Sequence, residues 1–143
     1  MKPLPATFTM FLLLLMGCDP QDGKLTLVNN TSDKVYYSIS YDSDSISSYP
    51  VYMKDSTKND GYEAFIDPDT VLHLVTMDTW EYNVNEKCKD STLRIFFFTN
   101  DLIKLAGKDS IMKYQLYSKK EKLKVKDLEK LNWRQALHVV LTA

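Results

Sequence analysis

With 143 residues, a formal net charge of −1 and 44% hydrophobic residues, the chain suits a single globular domain. Its near-neutral balance argues against nucleic acid as a partner, because phosphate binding requires a clear excess of Lys and Arg. Four glycines leave no glycine-rich phosphate loop, and two cysteines with two histidines are spaced wrongly for a zinc site, so no cofactor is expected.

Lys2 precedes an apolar run over residues 8–16 that is interrupted only by Thr9. About 20 apolar residues are needed to span a bilayer core. The run therefore has the length of a secretory signal segment, not of a membrane span. Directly after it, Leu15-Met16-Gly17-Cys18 resembles the bacterial lipobox, in which a small residue precedes a cysteine that is acylated and becomes the mature N-terminus. On that reading residues 1–17 are a lipoprotein signal peptide and residues 18–24 are a lipidated tether. Residues 25–143 form one β-rich domain held at the membrane by the acyl chains on Cys18. Lipidation of Cys18 leaves Cys88 without a partner, and a buried, inert thiol is the expected outcome.

Strand signals dominate the domain. Residues 25–28 are strand-like, and Asn29-Asn30-Thr31-Ser32-Asp33 carries turn chemistry. From Val35 the chain alternates, with Val35, Tyr37, Ile39 and Tyr41 on one face, which predicts a half-buried strand closing a hairpin. Shorter strands are expected over 51–53, 63–66, 71–75 and 80–84. Residues 93–99, Leu-Arg-Ile-Phe-Phe-Phe-Thr, are apolar on both faces past Arg94 and predict a central strand covered on both sides. Strands over 111–117 and 137–142 complete the set. Helix is predicted over 101–106, ending at Gly107, and over 125–131, where Val125, Leu128 and Leu131 share a stripe and Asn132 is a left-handed stop. The fold class expected is mainly β, an antiparallel sandwich-like (Ig-like) domain with one short C-terminal helix.

The strand containing Tyr36-Tyr37-Ser38-Ile39-Ser40, the Ile/Phe-rich segment 93–99 and the helix end Leu128-Glu129-Lys130-Leu131-Asn132-Trp133 together resemble a family of small uncharacterised lipoproteins from Bacteroidetes. The likeness extends over about two thirds of the mature chain. Lys124 stands where that family usually caps its helix with Ser or Thr, and the tail after Ala136 also departs from the pattern. The resemblance implies an envelope location, with the outer membrane expected, and a β-rich fold. It brings no established activity.

Five Asp-Ser/Thr sites, with hydroxyls on Ser45, Ser56, Thr70, Ser91 and Ser110, resemble the O-glycosylation motif of exported proteins in that phylum. Asp-Ser and Asp-Thr pairs are also good turn formers. His73 and His138 alternate with apolar neighbours and read as outward strand residues. Asp42-Ser43-Asp44 opens like a calcium loop but has Ile46 at the third ligand position. Glu63, Asp67 and Asp69 are the one acidic cluster near strand ends. Five lysines over 119–126 read as a solvated connection, with an anionic surface as the sharper alternative. Tyr36, Tyr49, Tyr52 and Tyr62 could offer sugar-stacking rings. No nucleophile–base pair or paired carboxylates converge in the sequence, so a non-catalytic binding module is expected. Its partner would be a glycan or an envelope protein; a structural role in periplasmic envelope assembly and a small hydrolase are the alternatives.

Overall fold

The computed structural model describes residues 21–46 and 64–137. The expected strand over 51–53 and most of that over 137–142 lie outside the described residues. Among the described residues, seven strands form two sheets: β1 (Asp22–Asn29), β2 (Val35–Ser40), β3 (Phe65–Ile66), β4 (Thr70–Thr76), β5 (Leu93–Thr99), β6 (Lys119–Leu123) and β7 (Arg134–Leu137). The first sheet has the order β4-β1-β7 and the second β3-β2-β5-β6. Pairing is antiparallel except between β1 and β7, which run parallel. The domain is mainly β and sandwich-like, as its strand pattern predicts.

Between the sheets lies the main core. Leu25, Leu27 and Leu74 of the first sheet meet Val35, Ile66, Leu93, Ile95, Phe97 and Leu123 of the second. Tyr37, Ile39 and Tyr41, the predicted apolar face of β2, pack against this core. The opposite face of the second sheet is also covered. Phe96 and Phe98 are fully buried there with Ile111, beneath a helical run over Asn100–Tyr114. Burial on both faces explains the unbroken Ile/Phe run of β5.

Several local expectations change. β1 and β2 do not close a hairpin: each joins a different sheet, and residues 30–34 carry the chain between layers. Residues 80–84 are helical, not extended, with α1 at Trp80–Tyr82 running into a π-helical turn at Asn83–Lys87. Trp80 and Val84 are both buried in the core, a spacing of four that suits one helical stripe as well as it suits strand alternation. The Thr79 hydroxyl accepts from the Tyr82 N–H at 3.2 Å and caps the turn.

The segment 111–117 likewise starts in helix. α2 (Asn100–Tyr114) is capped by the Thr99 hydroxyl, which accepts from the Leu102 N–H at 3.3 Å. It breaks at Gly107 (φ 70°, ψ 166°) and ends at Gln115 in the left-handed region (φ 55°). Ile111 is thereby turned onto Phe96 and Phe98.

The C-terminal helix is α3 (Val125–Lys130). The Asp127 carboxylate accepts from the Lys124 N–H at 3.2 Å, so an acid at the third position supplies a contact that Lys124 as cap cannot. Asn132 (φ 48°) and Trp133 (φ 57°) both follow in the left-handed region. They turn the chain so that the Trp133 carbonyl accepts from the Thr26 N–H at 2.8 Å, where β7 joins β1.

Candidate functional site

The turn after β1 is organised by one buried side chain. Asn29 is fully buried, and its amide group donates to the carbonyls of Asp33 (2.8 Å), Ile66 (3.1 Å) and Asp67 (3.1 Å). Its carbonyl oxygen accepts from the Thr31 N–H (3.0 Å) and hydroxyl (2.7 Å). Asn29 therefore ties the end of the first sheet to β3 of the second and shapes the turn between them. Sequence reasoning assigned it only turn chemistry. Nothing local marks a residue whose acceptors lie nearly forty positions away.

That turn forms one wall of a cleft of about 290 Å³. Residues 30–35 line one side and residues 99–101 the other, at the start of α2. Ser32 and Thr99 offer hydroxyls, Asn30 and Asn100 amides, Asp33 and Asp101 carboxylates, and Lys34 an ammonium. The Lys34 ammonium lies 3.7 Å from the centre of the Phe65 ring and 3.7 Å from Asp67 Oδ1. Thr99 is set in place by Ser118, whose hydroxyl accepts from the Thr99 N–H at 3.0 Å. A cleft of this size lies at the lower end of small-ligand sites, about 300–1,000 Å³. Donors and acceptors on opposed walls suit a small polyhydroxyl or similarly polar ligand.

A second polar centre lies on the face of β5 and β6. The Asp44 carboxylate pairs with Arg94 Nε (2.6 Å), Lys122 (2.5 Å) and Lys120 (3.3 Å). Hydrogen bonds from Lys122 and Arg94, joined by Lys120, hold the Asp44 carboxyl well below the usual carboxylate range. Its lone pairs are directed at three cations. Residues 119–123 of the lysine-rich segment form a strand, β6, and Lys124 and Lys126 lie at the start of α3, so the segment is not a loose connection. It forms the edge of the second sheet, where lysines discourage pairing with another chain. Lys119 pairs with Glu121 at 2.9 Å.

The other candidates separate. Cys18, Ser56, Glu63, His138, Tyr49, Tyr52 and Tyr62 lie outside the described residues. Ser45 is exposed, with its hydroxyl 2.6 Å from that of Ser43. Thr70 is exposed and donates to the Asp67 carbonyl at 2.8 Å, and Ser91 donates to the Asn85 carbonyl at 3.1 Å. Ser110 lies half-buried within α2. Asp69 (φ 51°) and Asp90 (φ 58°) adopt left-handed conformations, so these two Asp-Ser/Thr pairs form turns. Tyr36 packs edge-on against Phe65, centroids 6.1 Å apart, and so lies against protein. His73 is exposed, with Nδ1 3.4 Å from the Gly23 carbonyl oxygen.

Cys88 is buried beside Tyr41 and Arg94, and burial pushes its thiol up to about 11. Among the described residues, no three His, Cys, Asp or Glu side chains are grouped to hold a metal ion. Comparison with family models, curated proteins and solved structures returned no match.

Proposed function

We propose that this chain is a lipid-anchored envelope lipoprotein of the outer membrane, and that its domain is a non-catalytic module presenting the polar cleft to a glycan-like ligand. The observation carrying this reading is that the cleft turn lies at the far end of β1 from Asp22, the strand residue that follows the lipobox-like segment most closely. Cys18 precedes Asp22 by four positions, whereas the cleft turn follows Asn29. Seven residue steps of about 3.3 Å separate the two ends of β1, roughly 23 Å. An acyl group on Cys18 would hold one end of the strand at the lipid surface and direct the cleft away from it. The lipobox-like Leu15-Met16-Gly17-Cys18 and the resemblance of residues 36–40, 93–99 and 128–133 to Bacteroidetes lipoproteins support the same location.

Protease added to intact cells tests the display. Loss of the domain while periplasmic markers survive is the expected result, and soluble saccharides should then shift the amide resonances of residues 30–35 and 99–101. Full protection until the outer membrane is opened would turn the cleft inward. Envelope assembly would then be the better account.

A further inference from the structure

Three exposed apolar side chains lie in the segment that packs on the start of β1, the end opposite the cleft. Met77 is 69% exposed, Val75 60% and Tyr82 50%. Their placement at the β1 start follows from the backbone. Asp22 pairs with Thr76 across the sheet, and the Trp80 N–H donates to Asp22 Oδ2 at 2.9 Å. The Lys24 ammonium bridges Asp22 and Glu81 and lies 4.3 Å from the centre of the Trp133 ring. Residues 75–82 are thus bound to the first residues of the strand. The underlying framework is rigid, since the Trp80 indole is buried and its N–H donates to the Leu74 carbonyl at 3.1 Å.

Chain length decides what can cover this patch. Only Asp19, Pro20 and Gln21 separate Cys18 from Asp22, and four residue steps reach at most about 14 Å. We propose that Val75, Met77 and Tyr82 form a membrane-docking surface that seats the domain on the lipid layer holding the Cys18 acyl chains. This inference rests on the lipid-anchor reading above. Apolar side chains beside a tyrosine suit the boundary between headgroups and acyl chains, where aromatic rings with one polar end partition.

The charges around the patch are paired, with one acid in excess. Asp78 pairs with Lys87 at 2.5 Å, the Lys87 ammonium stands 5.5 Å from the Tyr82 ring centre, and Asp22 and Glu81 share Lys24. Docking is therefore carried by the apolar side chains and not by charge. It also orients the domain: with both the tether and this patch at the surface, the cleft is held outward instead of tumbling on a leash.

The test uses the full chain, exported from a Gram-negative host, purified and reconstituted in phosphatidylethanolamine/phosphatidylglycerol vesicles. Intact mass reports whether Cys18 is acylated. An environment-sensitive fluorophore is attached through Met77→Cys or, as a control on α2, Leu105→Cys, each in a Cys88→Ala background. The expected result is acylated protein whose probe at position 77 brightens severalfold on vesicles and is quenched by spin-labelled lipid, while the probe at 105 is unchanged. Adding Val75→Asp and Tyr82→Asp should abolish the signal at 77 without altering the thermal melt, which separates docking from mere nearness. Acylated protein whose position 77 behaves like 105, or whose signal survives the two aspartates, overturns the docking surface and leaves the anchor standing. An unmodified Cys18 overturns both.

Discussion

Arg94, in β5 and only 5% exposed, donates from Nε to Asp44 Oδ1 at 2.6 Å across fifty residues of chain. Its Nη1 donates to the carbonyls of Lys89 (3.1 Å) and Thr92 (2.7 Å). A cationic residue can occupy an otherwise apolar strand because Arg94 sits near the start of β5 and its guanidinium reaches acceptors beyond the strand end. Arg94 thereby holds the 41–46 loop, the 89–92 turn and β6 in one network.

The first prediction concerns acid. The Asp44 carboxyl titrates below its ordinary value of 3.8 in the fold, chiefly because Lys122 and Arg94 hydrogen-bond to its charged form. Near and below the ordinary value, the unfolded chain binds more protons than the folded one. The stabilisation is therefore full above about pH 4 and is lost as pH falls through the folded value. Asp44→Asn should be less stable than the parent at neutral pH, with the gap closing towards pH 2. Urea denaturation across that range measures it. Because Asp44 is 54% exposed, added salt should narrow the gap.

Asn29 offers a sharper test of the cleft's foundation. In Asn29→Asp the amide donors to Asp33, Ile66 and Asp67 vanish and a carboxylate faces their carbonyl oxygens. Each buried group left unpaired costs about 1–3 kcal/mol. Asn29→Asp should therefore destabilise by more than Asn29→Leu at neutral pH, and the difference should shrink as the carboxyl is protonated. Denaturation midpoints of the two variants against pH check this ordering.

Gly107 should be intolerant of a side chain for a backbone reason alone. Its φ of 70° with ψ of 166° lies in a region that is essentially glycine-only, yet a Cβ there would meet nothing within 4 Å. Gly107→Ala is expected to cost about 1–3 kcal/mol through conformation, with no clash. An unchanged denaturation midpoint would show that the break in α2 straightens without penalty.

Much of the sheet architecture was legible in local pattern. The alternation of Val35, Tyr37, Ile39 and Tyr41 identified β2, and the Ile/Phe run identified β5 as covered on both faces. Patterns failed where two periods coincide. Trp80, Tyr82 and Val84 alternate like a strand, but Trp80 and Val84 also match a helical stripe, and the Thr79 cap with the Asp22 contact selects the helix. Ile111 looks like the start of a strand in the sequence because the Gly107 break hides its helical relation to Ile103 and Ala106. The lysines of β6 masked its extended backbone, since an edge strand needs few apolar residues.

By itself the sequence determined which segments could be extended, an apolar run over residues 8–16 ahead of Cys18, and a near-neutral charge balance. Those properties follow from neighbours along the chain. Tertiary structure alone decided that β1 and β2 belong to different sheets, and that Asn29 underlies a cleft. It also decided that Asp44 gathers three cations, and that the segment carrying Val75, Met77 and Tyr82 packs beside the start of β1. Each of these depends on registers between residues about forty to eighty positions apart. Such pairings are set by how apolar faces close over one another, which no local spacing encodes.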